Sequence, residues 1–387
     1  MHVSDVTMFY ASQSGGIRRY LQEKRRWLEA RPPYRHTLVL PRLAVERGES
    51  AVELPSVPLP FSQGYRLPLA RRPAVRALAG LAPDIIEAGD PYHLAWAAID
   101  AGQVLGVPVI GFYHSDLPRV VRKLCGPRGE RLAESYVRRL YSQFDLVLAP
   151  SQCMADRLRR LGVARVARQA LGVDTRTFCP ERRSPTWRLK LGAKREDRLL
   201  VFVGRFAPEK NLPDLYDAMD RLGPGYLLVL VGAGKTLQRR SDVRVVPYIS
   251  DAERLASLIA SCDCFVHAGD QETFGLAALE AMACGVPVVA ARAGGLAELV
   301  DDEVGAAVCA EPGRGLGAAL AEAVTGLFAR NLAPVRAAAR RRARQYDWER
   351  VLPEIVARYA ALRGGAMPTR PSGPAVAMPA PSAQTRR

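Results

Sequence analysis

No apolar run among the 387 residues approaches the ~20 that a membrane-spanning helix needs, so no span is expected. Met1 to Tyr10 has no basic stretch followed by an apolar one, so no secretory leader is expected either. There is no Cys-x-x-Cys pair and no Cys/His cluster. The seven cysteines, at 125, 153, 179, 262, 264, 284 and 309, are scattered, and several fall in apolar segments. They are expected to be reduced, buried and not metal ligands, which fits a cytoplasmic protein. G-x-G-x-x-G, a complete P-loop, G-x-S-x-G and H-E-x-x-H are all missing. A nicotinamide dehydrogenase is therefore disfavoured. No Asp-x-Asp lies at the end of an expected strand, so no bound metal is predicted.

What the chain has in excess is positive charge. Its formal net charge is +16. Residues 1–180 hold 26 Lys+Arg against 16 Asp+Glu, and residues 181–387 hold 29 against 23. The surplus is thus +10 in the first part and +6 in the second. Solvated arginine faces account for this as readily as a surface for lipid headgroups, nucleotides or nucleic acid.

Short apolar runs alternate with helical spacing from end to end. Thr37–Leu40, Asp84–Glu87, Val107–Phe112, Leu146–Ala149, Leu199–Val203, Tyr226–Val231, Cys264–His267 and Val286–Ala290 read as strands. Ile17, Tyr20, Leu21, Trp27 and Leu28 share one helix face, and Leu255, Leu258 and Ile259 another. Such alternation, with apolar strands, indicates an α/β protein whose parallel sheets are covered on both faces. The pattern pauses between Cys179 and Asp197, a polar, turn-rich stretch read as the interdomain linker. The expected division is an N-terminal doubly wound domain, 1–183, and a second, 184–345. A helix over 346–363 returns to the first domain, and a Pro/Ala-rich tail, 364–387, is too poor in apolar residues to fold. Ligands of such sheets bind at the carboxyl ends of the strands, and two facing edges would make one cleft.

The richest segment is Glu272-Thr273-Phe274-Gly275-Leu276-Ala277-Ala278-Leu279-Glu280. A strand ending near His267 leads through a loop into a helix expected to begin near Phe274 with Thr273 as its cap. Gly275 lets the helix start approach a ligand, and the free N–H groups of that turn suit a diphosphate. Val203-Gly204-Arg205-Phe206-Ala207-Pro208-Glu209-Lys210 follows another strand and puts two cations on one turn. Arg205 suits phosphate as a planar fork, and Lys210 as a point charge. Ser12-Gln13-Ser14-Gly15-Gly16-Ile17 opens the first helix with a turn that a phosphate can approach. Tyr113-His114-Ser115-Asp116 ends a core strand and would face the cleft. Gly232-Ala233-Gly234-Lys235 looks like an incomplete P-loop.

In this order, these segments resemble the retaining glycosyltransferases of family 4, which have the GT-B fold. The E-x7-E pattern matches Glu272 and Glu280. Gly204, Arg205, Glu209 and Lys210 match the Gly-Arg…Glu-Lys turn. Gly172, Val173, Asp174 and Phe178 match a further element, as do Ala283 to Val289. Gly294, Gly295 and Glu298 match Gly-Gly-x-x-Glu, and Tyr346-Asp347-Trp348-Glu349 matches the opening of the last helix. The resemblance covers roughly residues 5 to 362.

It implies two doubly wound, Rossmann-like domains facing a central cleft and transfer of a hexose from a UDP- or GDP-linked donor. No cofactor and no metal would be required. Arg205 and Lys210 would hold the diphosphate, and Gly15 and Gly16 would approach it from the first domain. Glu272 would hold the hexose, helped by Thr273 and by the backbone of Phe274, Gly275 and Leu276. Glu280 would hold the ribose, the base would rest near Tyr248 and Ile249, and His114 would sit near the anomeric carbon. The sequence departs from the family at His267-Ala268-Gly269-Asp270, where Pro-Ser is common, and at Leu171, where Asn is common. Tyr113–Asp116 and the basic stretch Arg119, Arg122, Lys123, Arg128 and Arg131 resemble the branch acting on diacylglycerol or phosphatidylinositol lipids. A lipid or lipid-linked glycan acceptor, and a peripheral position on the inner face of the cytoplasmic membrane, would follow. The rivals are a sugar phosphorylase or epimerase of the same fold, and a basic nucleic-acid-binding protein. The latter lacks aromatic residues interleaved with its basic patch.

Overall fold

The computed structural model describes residues 1–11, 15–42, 51–59, 64–234, 240–310 and 313–365. Ser12, Gln13 and Ser14 of the glycine turn, Lys235 and the tail beyond residue 365 lie outside them. The strands are β1 (His2–Val6), β2 (Arg35–Pro41), β3 (Ala51–Leu54), β4 (Ser56–Pro58), β5 (Arg66–Pro68), β6 (Ile85–Ala88), β7 (Val109–Phe112), β8 (Leu146–Ala149) and β9 (Val166–Arg168). They continue as β10 (Arg198–Val203), β11 (Tyr226–Gly232), β12 (Val243–Pro247), β13 (Cys264–His267), β14 (Val288–Ala291) and β15 (Gly305–Val308). The helices are α1 (Gly16–Glu29), α2 (Arg71–Leu81), α3 (His93–Leu105), α4 (Leu117–Tyr141), α5 (Gln152–Arg160), α6 (Pro185–Lys190) and α7 (Leu212–Leu222). Then come α8 (Ala252–Ala260), α9 (Leu276–Ala283), α10 (Leu296–Leu299), α11 (Gly315–Phe328), α12 (Leu332–Arg344) and α13 (Trp348–Arg363).

Two parallel sheets result. The first has the order β3-β2-β1-β6-β7-β8-β9, and the second β12-β11-β10-β13-β14-β15. Their central strands are buried along their whole length, as expected of sheets with helices on both faces. In each sheet the chain starts near the middle, winds outward on one side, then crosses to the other. That reversal opens a crevice at the carboxyl ends of the strands.

Several expected boundaries shift for identifiable reasons. The runs at Val107 and Val286 become strands only from Val109 and Val288, each directly after or near a proline, at 108 and 287, that has no N–H to give the ladder. The expected linker holds a 3-10 turn, Pro180–Arg182, and α6, whose Trp187 is buried and donates to Ser257 Oγ at 3.1 Å. An indole packed on α8 makes this stretch part of the second half's surface rather than a loose tether. All seven cysteines are unbridged, but only Cys262, Cys264 and Cys284 are buried; Cys125, Cys153 and Cys309 are exposed.

The chain crosses between the sheets twice, and the crossings touch. Val173 N–H donates to Tyr346 C=O at 2.8 Å, and Trp348 N–H to Val173 C=O at 3.2 Å. Arg340 of α12 staples the same place by donating to Thr175, Phe178 and Ala283 carbonyls at 2.7–2.8 Å. α13 then lies against the first half.

That contact closes over a buried charge cluster. Lys24 of α1 is wholly buried, and its Nζ lies 2.7 Å from Asp5, 2.9 Å from Glu87 and 3.0 Å from the Tyr359 hydroxyl of α13. Tyr20 and Tyr359 both hydrogen-bond Glu87, and His36 bonds Asp5. Burial would raise the Asp5 carboxyl, but Lys24 and His36 outweigh it and hold Asp5 well below the usual range. Burial lifts Glu87 to about 7, with Lys24 pulling the other way. Removing one partner of such a cluster leaves an unpaired buried charge. Lys24→Met is therefore expected to cost about 3–5 kcal/mol, measured as a lower midpoint of urea unfolding. Loss under 1 kcal/mol would refute the assignment of a buried Lys24–Asp5 pair.

Candidate functional site

β10 ends at Val203, and the turn Gly204–Lys210 leaves it at the crevice. What holds this turn is the neighbouring glycine segment after β11. A Cβ on Gly232 would lie 1.9 Å from the Gly204 carbonyl oxygen, and one on Gly234 2.4 Å from that of Phe206. Phe206 N–H donates to Ala233 C=O at 2.8 Å. The apparent incomplete P-loop thus has a packing reason: its glycines let two backbones touch. Arg205 is exposed and pairs with Glu209 at 3.1 Å, four residues on. Lys210 points the other way, to Glu272.

Glu272 sits in the loop after β13, between two partners. Lys210 Nζ is hydrogen-bonded to it, and His267 Nε2 lies 3.1 Å from its Oε1. Gly269 N–H donates to His267 Nδ1 at 3.1 Å. With Nδ1 an acceptor, the neutral ring carries its proton on Nε2 and donates it to Glu272. Burial also keeps His267 neutral by lowering its pKa. Burial alone would raise Glu272, but Lys210 and His267 hold its carboxyl well below the usual range. His267 thus serves as a carboxylate-orienting imidazole.

The helix after this loop begins two residues later than expected. α9 starts at Leu276, and its N-cap is Gly275 at φ +105°, a left-handed conformation that favours glycine. Thr273 is therefore not the cap. Its hydroxyl donates instead to the His114 carbonyl at 3.0 Å, on the opposing half. The loop is braced from behind by Gly294 and Gly295. A Cβ on Gly294 would lie 2.0 Å from the Glu272 carbonyl oxygen, and one on Gly295 2.5 Å from Phe274 Cα. Gly295 N–H donates to Glu272 C=O at 2.8 Å.

The first half faces these groups with the start of α1 and the end of β7. A Cβ on Gly16 would lie 2.6 Å from Leu276 Cδ1, so a larger residue there would have to displace the Leu276 side chain. Arg19, on the first turn of α1, hydrogen-bonds Glu280 on α9. Its guanidinium also lies 5.1 Å from the Phe178 ring centroid. His114 stacks on Phe112 with centroids 4.1 Å apart. Burial, with Lys24 nearby, lowers its pKa to about 3.

Together these walls enclose about 300 Å³. The residues given donor or catalytic roles line this one cleft: Gly15, Gly16, His114, Gly204, Arg205, Lys210, Tyr248, Ile249, Glu272, Thr273, Phe274, Gly275, Leu276 and Glu280. Tyr113, expected to face it, is instead buried in the first half and donates to Asp116 at 3.0 Å. Sequence reasoning missed Arg19, His267 and Tyr65, which line it too. Arg19 had a signal, as a cation on the first turn after Gly15-Gly16. The basic stretch on α4 divides: Arg119 donates to the Asp270 carbonyl at 2.9 Å, Lys123 lies 3.5 Å from the Asp270 carboxylate, and Arg122 pairs with Glu130. Arg128 and Arg131 are exposed. No group of three or more possible metal ligands occurs among the described residues.

Two Rossmann-like domains facing each other across a cleft make the GT-B architecture of glycosyltransferases. The profile "Glycosyltransferase Family 4" matches residues 14–177, and "Glycosyl transferases group 1" matches residues 183–346. A GDP-mannose-dependent alpha-(1-6)-phosphatidylinositol dimannoside mannosyltransferase of Mycobacterium tuberculosis is 31% identical over 382 residues, covering 94% of this chain and 97% of that one. A GDP-mannose-dependent alpha-mannosyltransferase of Mycolicibacterium smegmatis is 32% identical over 325 residues, covering 83% and 84%. Among solved structures, sucrose-phosphate synthase from Thermosynechococcus elongatus superposes with a TM-score of 0.75 at 20% identity, over 94% of this chain and 100% of that one. Anabaena HepE, in complex with UDP and glucose, gives 0.73 at 20% identity, over 93% and 100%. The chain belongs to glycosyltransferase family 4, and it transfers a sugar from a nucleotide-sugar donor. These relatives lend nothing to the phosphorylase, epimerase or nucleic-acid-binding readings.

The His114 environment makes a direct prediction. A depressed pKa means the ring stays neutral from pH 5 to 8, while an unfolded chain would protonate it near 6.5. Its carbon-bound proton resonances in NMR should not titrate over that range. An inflection near pH 6.5 would contradict the buried placement.

Proposed function

We propose that the enzyme moves mannose from GDP-mannose to a hydroxyl of a phosphatidylinositol-type glycolipid, with retention of configuration and without a metal. The observation that carries the reading is the Lys210–Glu272–His267 arrangement, set beside Arg205 and the start of α9 in one cleft. Arg205 and Lys210 would take the diphosphate, supplying in fixed cations the positive charge that a departing nucleotide needs. Lys210 already neutralises Glu272, so diphosphate binding would share an existing cation rather than bury a new one. Glu272, oriented by His267, would accept hydrogen bonds from the hexose, with the backbone of Phe274, Gly275 and Leu276 alongside. Glu280 would take the ribose, in exchange with or beside Arg19, and the base would rest at Tyr248 and Ile249. Gly15 and Gly16 would border the diphosphate. His114, kept neutral, would lie near the anomeric carbon as a hydrogen-bonding group rather than a cation. The leaving phosphate oxygen would accept the acceptor's proton on the face it leaves.

GDP-mannose and the lipid acceptor rest on the mycobacterial relatives, one of which spans nearly the whole chain. The surface supports the same acceptor. α4 starts at Leu117, three residues after His114, and turns sharply at Gly126. It carries Leu124 and Leu132 at 79% and 74% exposure, among Arg122, Lys123, Arg128 and Arg131. Apolar side chains flanked by cations suit an anionic bilayer surface. No helix among the described residues is long and apolar enough to cross a membrane. A peripheral position at the inner face of the cytoplasmic membrane fits these features.

Two measurements test the proposal. Glu272→Ala should lower mannose transfer by about 10²–10³-fold. GDP should still raise its thermal midpoint as in the wild type. Wild-type turnover in that variant would overturn the Glu272 role. The protein should sediment with vesicles containing phosphatidylglycerol at low salt and be released as salt rises, and Leu124→Ser with Leu132→Ser should abolish binding. Failure of the wild type to bind anionic vesicles would remove the membrane half of the reading.

A further inference from the structure

Glu298 is part of the Gly-Gly-x-x-Glu segment, and nothing above gives it a task. It lies on α10, in the second half, yet its carboxylate is spent on the first. Oε1 accepts the Cys153 N–H at 2.7 Å, and Oε2 accepts the Gln152 N–H at 2.9 Å. These are the first two residues of α5, a helix at the carboxyl edge of the opposing sheet. The third N–H of that turn, from Met154, goes to the helix's own cap, Ser151 Oγ, at 3.3 Å. Arg168 Nε lies 3.7 Å from the same carboxylate. A helix N-terminus with two open N–H groups favours an anion, and here the anion is a side chain from the other domain.

The same short segment touches the donor side. Gly295 N–H holds the Glu272 carbonyl at 2.8 Å, and the next residue of that loop, Thr273, bonds the His114 carbonyl across the cleft. Residues 272–273 and 294–298 therefore form one braced unit with two footholds on the first domain, at His114 and at α5. We infer that Glu298 is a positioning residue, an interdomain latch. By capping α5 it holds the cleft closed in the geometry that lets Glu272 and His114 face the same sugar. The inference rests on the donor reading given above, but the latch itself is a property of the ligand-free chain.

The test separates a latch from an ordinary cap. Glu298→Ala in the full chain should give a larger radius of gyration by small-angle scattering. It should also lower kcat/KM for transfer from GDP-mannose roughly ten- to hundredfold. GDP affinity, carried mainly by the second domain, should stay within about threefold of wild type. Glu298→Gln keeps one acceptor oxygen and should fall between; it decides the question if the alanine variant does not fold. Ser151→Ala removes the intradomain cap of the same helix. It should lower the thermal midpoint while leaving the scattering curve unchanged and turnover within about twofold. A wild-type scattering curve for Glu298→Ala and Glu298→Gln would overturn the latch. So would an equal loss of turnover in Ser151→Ala. Because scattering needs no substrate, a wrong donor assignment would show as inactivity of the wild type and leave the latch to be judged on shape alone.

Discussion

A buried ammonium, that of Lys24, organises the first domain and its tie to the end of the chain. It pairs with carboxylates from β1 and β6 and donates to the Tyr359 hydroxyl of α13, a helix that follows the whole second domain in the chain. A charge in such a place is costly unless every partner is present. The cluster therefore rewards only the arrangement in which β1, β6, α1 and α13 are all in place. It also lies behind Tyr20, whose ring is 5.5 Å from that of His114. The same positive charge that anchors α13 thus helps to keep the cleft's imidazole neutral.

On the donor side the ordering principle is different. Here backbone rests on backbone. Gly232 and Gly234 seat the Arg205–Lys210 turn, and Gly294 and Gly295 seat the Glu272 loop, each at separations that no Cβ would survive. Loops that carry charged side chains into a crevice would otherwise be mobile. Close backbone packing makes them as fixed as the strands behind them, and that is what preorganised charge requires.

Much of this was legible in the residues. The apolar runs located most of the buried strands, because strands covered on both faces are largely apolar, but not β1, which buries His2, Ser4 and Asp5 and so shows no apolar run. The edge strands β3, β9, β12 and β15 and the separate antiparallel pair β4–β5 escaped notice, being short or half exposed, with no continuous apolar signature. The residues given donor or catalytic roles line one cleft. What the sequence could not show were the partners. His267 reaches Glu272 through a loop, Arg19 reaches Glu280 across 261 positions, and Glu298 reaches α5 across 145 and 146. The last two depend on how the domains face each other, which no local spacing encodes. Thr273 misled for a related reason: a Thr before a helix reads as a cap, but Gly275 caps α9 and Thr273 is drawn to the other domain.

The two interdomain crossings have a mechanical consequence. They run side by side, hydrogen-bonded at Val173 with Tyr346 and Trp348, and are stapled by Arg340. A single tether would leave three rotational freedoms between the domains. Two parallel strands fastened together bend easily about one axis and resist twist and sideways swing. Substrate entry and product exit would then share a single path of motion, retraced in opposite senses each turnover, and register across the cleft would be recovered at every closure without a search.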